Sequence, residues 1–442
     1  MKAGAAAAAG LLPLAIALLP AAAGQSQSAS GCISNCTSAV SRGNGPAPLL
    51  ASGTAVSWWF VFKFNGYAFP GCGTGTTTDC PFGGDPQSYA GPASLQYVYA
   101  SSQDPTLKQG TGCAGETTSD PIGATYSEIY NGSYHYVVWN DQFYGDPAIS
   151  YQHCSPTECS APWGHSKGMV AWDDSGNGLV MQVTTPSWPA SGSANNPRKS
   201  GNTLGCVIDN NLMFSQQFFA LKLTEGDLVK VLKAMQNASV VTDPSNPQIV
   251  NNGGPAEVSQ IVSRLGALST STTVTEDTLS SGVALISKPP QEQVPPWQAV
   301  SARLGGVSLR VASWWGTPNE IPSTTSSTRI SCWDRNLGTP GAVEIATRGQ
   351  WSGTQFSLEE GPGQPRGNAN HAKIGVSTDV NTYVILGDMN QQGSLDGKCA
   401  ASQNGRGGMF YVLSNPQLFG GVRNLISGAS ASGTGSSATR GF

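Results

Sequence analysis

Charge is scarce in this sequence: Asp, Glu, Lys and Arg make up 11% of its 442 residues, where globular proteins carry about 25%. With 23 basic against 27 acidic side chains and a formal net charge of −4, no whole-molecule positive field draws the chain onto nucleic acid or anionic lipid at neutral pH. Any site for a polyanion must be local. Long apolar runs are missing after the first two dozen residues, so nothing later reaches the ~20 apolar residues a bilayer span needs. A basic amphipathic helix of the kind that lies at a lipid interface is absent too, and no tandem repeat is found. Histidine occurs only at 135, 153, 165 and 371, and lysine only 11 times.

What is present is turn-forming and apolar residue: 55 Gly and 29 Pro among Ser, Thr and Asn, with 39% hydrophobic side chains to build a core. The start reads as an export signal over residues 1–23, with Lys2 as the positive end, an Ala/Leu stretch to Leu19, and Ala21, Ala22 and Ala23 as the small-residue cleavage site. A secreted or otherwise exported protein with no stable membrane association is expected. Ten cysteines behind such a signal argue for disulfides in an oxidising compartment. The short loops Cys32/Cys36, Cys72/Cys80 and Cys154/Cys159 suggest local staples; the full pairing is not derivable. No pair has Cys-x2-Cys spacing and no His-x3-5-His accompanies them, so no metal site or cofactor is expected.

Runs of aromatic and β-branched residues at 57–64, 95–100, 135–139, 167–172 and 178–184 read as strands. Leu228, Val231, Leu232 and Met235 then recur at helical spacing, as do Val258, Ile261, Val262 and Leu265. Strand-like runs resume at 307–311, 373–377 and 383–386. The order implies an α/β (α+β) plan with two lobes: a flexible leader 24–56, an N-terminal lobe 57–240, a C-terminal lobe 241–426, and a flexible Gly/Ser/Ala tail 427–442.

One long-range echo carries the chemistry. Two of the four histidines are followed two places later by lysine, His165/Lys167 and His371/Lys373, a coincidence expected in roughly 0.4% of cases at this lysine frequency. Each copy runs into an apolar strand and places an aspartate eight residues after its histidine, Asp173 and Asp379. Residues i and i+2 of a strand share a face, so each His and Lys looks into one space. Two such pairs from two lobes can surround a phosphodiester, the ammonium groups holding its non-bridging oxygens. One imidazole then attacks phosphorus while the other protonates the leaving alkoxide, through a phosphohistidine. His135 and His153 have no comparable surroundings and read as structural.

The doubled His-x-Lys with a trailing Asp, and Gly387-Asp388-Met389-Asn390 after the second copy, resemble the phospholipase D superfamily pattern. The spacers of five and seven residues, and Asp388 where Ser is usual, are similar to the deoxyribonuclease II branch of acid endodeoxyribonucleases. The stretch from Trp58 to Lys63, Asn140-Asp141-Gln142 and Gly164-His165-Ser166-Lys167-Gly168 resemble that branch as well, so the likeness covers about 57–425. It implies a phospholipase D-like two-lobed pseudo-dimer, each lobe a mixed sheet covered by helices. It also implies cleavage of double-stranded DNA at acid pH without divalent metal, leaving 3′-phosphate and 5′-hydroxyl ends. In that reading Lys167, Lys373 and Asn390 hold the phosphate, with Asn140 and Asp388 beside it. His165 is nucleophile and His371 general acid, the pseudo-symmetry leaving the reverse open, and Asp173 and Asp379 support the framework.

Several positions depart from the animal members. The cysteines flanking their second motif strand are Ile374-Gly375 and Ile385-Leu386 here, a further histidine is replaced within Met181-Gln182-Val183, and Ser187 stands near the first copy's asparagine position. Cys206 and Cys332 match family cysteines, which implies Cys206 pairing with Cys32 or Cys36. DNA is expected to be gripped through phosphates with little sequence preference, Arg366 and Arg406 being candidate contacts. A lipid phosphodiesterase and a non-catalytic DNA-binding relative are the alternatives. Asn35, Asn131 and Asn237 fit the glycosylation sequon.

Overall fold

The computed structural model describes residues 45–71, 93–199, 201, 212–316, 319–359 and 369–433. The first sheet holds β1 (Trp58–Lys63), β2 (Tyr97–Ser101), β3 (Lys108–Gln109), β4 (His135–Asn140), β5 (Lys167–Trp172), β6 (Gly178–Val183), β7 (Gln216–Leu223) and β8 (Val250–Asn251). Their order is β3-β2-β1-β7-β6-β5-β4-β8, with every neighbouring pair antiparallel. Along the chain there follow β9 (Thr275–Thr278), β10 (Ala284–Lys288), β11 (Leu309–Ala312), β12 (Val343–Ile345), the separate hairpin β13 (Arg348–Trp351) and β14 (Thr354–Ser357), β15 (Ile374–Ser377), β16 (Tyr383–Gly387) and β17 (Gly408–Ser414). The second sheet runs β12-β11-β15-β16-β17-β10-β9, antiparallel except between β11 and β12.

The helices are α1 (Pro121–Tyr130), α2 (Glu225–Asn237), α3 (Ala256–Val262), α4 (Pro296–Arg303) and α5 (Pro416–Leu425). Helix α2 begins where Thr224 and Asp227 form a reciprocal capping box. Its Leu228, Val231, Leu232 and Met235 are buried as their spacing predicts. Central strands β5 and β6 are buried at every residue, so they read as continuous apolar runs rather than alternating ones. Trp59, Trp139 and Trp172 in the first lobe and Trp297 in the second are fully buried; each contributes about 150–250 Å² of burial to the core.

The two sheets repeat one plan: first strand, helix, then four antiparallel strands and a helix. The sequence β1, α1, β4, β5, β6, β7, α2 corresponds to β10, α4, β11, β15, β16, β17, α5. This is the two-lobed pseudo-dimer that the family resemblance implies, with the first sheet antiparallel throughout rather than mixed and the second mixed only through its parallel β11–β12 pair.

Three expected boundaries move. Strand β8, beyond residue 240, pairs with β4 and belongs to the first sheet. Residues 45–56 of the leader are docked, with Leu49 buried and its N–H donating to Thr125 Oγ1 at 2.9 Å. The tail start is docked as well: Ala431 is buried, its N–H donates to Ile345 O at 2.8 Å, and Arg310 donates to Ile426 O and Gly428 O at 2.6 Å each. Buried apolar side chains and hydrogen bonds to the main chain of these segments together supply the order. The export signal, Cys32, Cys36, Cys72, Cys80, Cys206, Asn35, Arg366 and residues 434–442 lie outside the described residues.

Cys154 and Cys159 form the expected local staple, and Cys332 pairs with Cys399. Asn131 is exposed at the end of α1, whereas the Asn237 amide donates to Thr273 O and Ser287 O. The Cys332–Cys399 bridge closes a separation of 67 residues, which the chain-entropy argument values at about 4 kcal/mol. The Cys332→Ala/Cys399→Ala double variant is expected to lose stability on that order in urea unfolding at pH 5.

Candidate active site

Both His-x-Lys motifs stand at the mouths of central strands. Lys167 is the first residue of β5, while Lys373 immediately precedes β15, and each histidine lies two residues before its strand's start or earlier. Period-2 geometry alone therefore does not place them, contrary to the expectation from sequence. Their backbones are held instead by the opposite lobe: His165 N donates to Gly407 O and His371 N to Ser215 O, both at 2.8 Å. Gly164 and Gly407 permit this closeness, since a Cβ on either would stand 2.6 or 2.1 Å from Ala238 O. Both imidazoles are partly accessible to solvent, while Lys167 and Lys373 are buried.

Each motif histidine feels both motif lysines. Burial, then Lys167, depresses His165 well below the usual 6.5, with Asp141 opposing. Burial, then Lys373, Lys167 and Lys63, depresses His371 likewise. Burial and Lys167 also pull Lys373 far down. Each motif thus sits in the field of the other lobe's lysine, which brings all four predicted residues to one space.

The surroundings of the two histidines differ. His165 Nδ1 lies 2.8 Å from the backbone carbonyl of Asp388. His371 stacks on Phe214, centroids 4.4 Å apart, and its Nδ1 is 3.4 Å from Gln216 Nε2. The Gln216 oxygen takes the Thr184 hydroxyl proton at 2.7 Å.

Asp141 is the nearest countercharge. It pairs with Lys167 and, across the lobes, with Arg406 Nη2 at 2.8 Å. Burial alone would raise its carboxyl, but Lys167 and Arg406 overcome that and hold it well below the ordinary carboxylate range. Arg406 also donates to Trp163 O, Cys159 O and Gly164 O. It is thus a clasp between lobes rather than the free DNA contact expected from sequence. Sequence reasoning noted Asp141 without a role; its place beside Asn140 at the end of β4, opposite Lys167 in register, is the signal that finds it.

Two expected substrate contacts are otherwise engaged. Asn140 is fully buried; its Nδ2 donates to Thr185 O at 3.3 Å and Trp188 O at 3.2 Å, and its Oδ1 accepts from Gln142 N at 2.9 Å. Asp388 accepts from Ser166 Oγ at 2.6 Å, Gln182 Nε2 at 2.9 Å and Met409 N at 3.1 Å. It joins the first motif to the second lobe, and burial pushes its carboxyl up to about 7. Asn390 is buried, donates to Gln392 Oε1 at 3.3 Å, and has an Oδ1 without a hydrogen-bond partner among the described residues.

The trailing aspartates organise turns. Asp173 Oδ1 accepts from Ser175 N and Asn177 N, and Asp379 Oδ1 from Asn381 N. Each closes the hairpin at the far end of its motif strand, as their supporting role implies. The strand pairing puts Pro186, not Ser187, where the second lobe has Asn390. His135 pairs with exposed Asp174 at 2.8 Å, and His153 lies next to the Cys154–Cys159 staple; neither reaches the site.

Such a fold and site define a two-lobed hydrolase with paired histidines and lysines at the seam. Residues 48–431 match the family model described as Deoxyribonuclease II. The chain belongs to the deoxyribonuclease II family and is an endonuclease that acts on DNA. No curated protein matches it.

A carboxyl raised to about 7 keeps its proton in the folded state where the unfolded chain, with a value near 4, has lost it. Its contribution to stability is fully present below about 4 and is lost as pH rises through about 7. Asp388→Asn is expected to flatten that part of the profile relative to wild type, read as unfolding free energy at pH 4, 5, 6 and 7.

Proposed function

We propose that this chain is an exported acid endodeoxyribonuclease that cuts double-stranded DNA without metal, through a phosphohistidine, to 3′-phosphate and 5′-hydroxyl ends. The observation that carries this reading is the mutual field of the two motifs. Lys167 acts on His371 and Lys373 on His165, so a phosphate placed among them meets all four groups.

Lys167 keeps N–H donors beyond its pair with Asp141, and Lys373 donates to His371 O. Both can turn N–H groups to the non-bridging oxygens. A backbone carbonyl only accepts, so the Nδ1 of His165 carries the proton and its Nε2 holds a lone pair. That supports His165 as nucleophile: Nε2 bonds to phosphorus as the P–O5′ bond breaks. The 5′ oxygen takes a proton from the His371 imidazolium. A water then attacks phosphorus, giving its proton to His371, and the P–N bond breaks to release His165 and the 3′-phosphate. Gln216 holds its amide nitrogen 3.4 Å from the Nδ1 of His371, its oxygen being anchored by the Thr184 hydroxyl, which orients the ring.

Acid preference follows from the same field. His371 must be protonated to act as acid, and burial and the lysines depress it well below its usual value in the free protein, so acid conditions favour its working form. A bound phosphodiester adds negative charge and eases protonation. Recognition through phosphates implies little sequence preference. Disulfides are consistent with an oxidising destination such as the extracellular space, periplasm or a lysosome-like compartment. No helix among the described residues is long and apolar enough to cross a membrane.

Supercoiled plasmid in excess EDTA tests this. Cutting is expected at pH 5 well above that at pH 7.5, with 3′-phosphate ends, and with His165→Ala and His371→Ala both reduced by about a thousandfold or more. A rate that climbs continuously to pH 8, or one abolished by EDTA, would contradict the proposal. Activity on lipid phosphodiesters alone would move the substrate class.

A further inference from the structure

Each lobe buries one more lysine, at the same place in the repeated plan. Lys63 ends β1 and Lys288 ends β10, and both side chains are shut away from solvent. In register, Lys63 faces Gln216 of β7 and Lys288 faces Gly408 of β17. Their acceptors repeat as well. Lys63 Nζ donates to Phe64 O at 3.0 Å and Leu212 O at 3.4 Å, and Lys288 Nζ to Pro289 O at 3.3 Å and Asn404 O at 2.8 Å. Leu212 and Asn404 each lie four residues before the strand position that faces the lysine. A third bond goes to Ser94 O at 2.9 Å in one lobe and to Arg406 O at 2.9 Å in the other.

Three of these carbonyls, Leu212 O, Asn404 O and Arg406 O, belong to the segments that receive the opposite lobe's motif. Ser215 O, three residues after Leu212, takes the His371 N–H, and Gly407 O, three after Asn404, takes the His165 N–H. Arg406, whose carbonyl Lys288 holds, is also the residue that pairs with Asp141. A buried ammonium is costly to keep unless its donors are satisfied, and here much of that satisfaction comes from the docking segments.

We propose that Lys63 and Lys288 are paired positioning residues, Lys288 holding His165 and Lys63 holding His371 in their working places through the segments that dock them. The inference rests on the nuclease reading above. Burial pushes Lys288 down to about 7, with Glu292 as the charged group opposing it, so the docking ammonium is intact in the acid range where the enzyme is proposed to work.

The two lysines act on different histidines, and that separates positioning from bulk stability. DNA needs a general acid for its alkoxide, whereas thymidine 3′-(4-nitrophenyl phosphate) releases a phenolate that needs none. Lys288→Met is expected to lower kcat about tenfold or more on both substrates with KM for DNA within about twofold. Lys63→Met is expected to lower kcat on DNA by a similar factor while sparing the first-turnover burst of 4-nitrophenolate, the step of the ester reaction that does not use His371. Lys288→Gln and Lys63→Gln, which keep N–H donors for the carbonyls, should recover part of each loss, and they carry the same comparison if the methionine variants do not fold. Folded variants with wild-type kcat, or a nitrophenolate burst slowed by Lys63→Met as much as DNA cleavage is, would overturn the inference while active wild type and inactive His165→Ala leave the nuclease reading intact. Inactive wild type would remove both.

Discussion

Four basic side chains gathered at one seam between two sheets repel one another, and the site's construction follows from that cost. Lys167, Lys373, His165 and His371 share a gap that also feels Arg406 and Lys63. Against them stands Asp141, committed to Lys167 and Arg406, while Asp388 is held toward its neutral form by burial. Burial first, and then this mutual repulsion, depresses the histidines and Lys373. The negative charge that would balance the gap is left for a ligand to bring, which is what a phosphodiester does.

Holding such a gap open requires a rigid frame, and the frame is the seam itself. Each motif's backbone is bonded to the other lobe, and Asp388, Gln182, Gln217 and Arg406 cross the same boundary. Gln217 accepts from Lys373 N at 2.6 Å and donates to Gly387 O at 3.1 Å, tying the second motif strand and its neighbour to the first lobe. Neither lobe has a complete site alone.

The repeat is broken where the chemistry calls for a difference. The position before the docking carbonyl is Phe214 in one lobe and Arg406 in the other, and the next ladder position is Gln216 or Gly408. Phe214 gives His371 an uncharged stacking face; Arg406 brings a cation toward His165, balanced by Asp141. Extending β11 past its Ala312–Ile374 pair puts Trp314 where the first lobe has Asp141. Two histidines that look alike in sequence thereby acquire different partners, a backbone carbonyl for one and a side-chain amide for the other.

Much of this was legible in the order of residues. Aromatic and β-branched runs marked β1, β4, β5, β6 and β16, helical spacing marked α2 and α3, and the rare doubled His-x-Lys marked the site. Strand β7 and helices α1 and α4 were missed because their apolar residues lack a clean period: β7 is buried on both faces, and α4 is buried nearly all round. Helix α5 was missed although Leu418, Val422 and Leu425 stand at helical spacing, because Gly420-Gly421 between them reads as a turn. The roles of Asn140, Asp388 and Arg406 were misread for a different reason. Their partners are main-chain and side-chain atoms from distant segments, such as the Arg406 bond to Asp141, 265 residues away. Local pattern in a chain encodes which face a residue turns inward, because that depends on its own helix or strand. Which ammonium meets which carbonyl, which cysteine meets Cys332, and which imidazole nitrogen is free depend on how two sheets close on each other, and only the folded seam decides them.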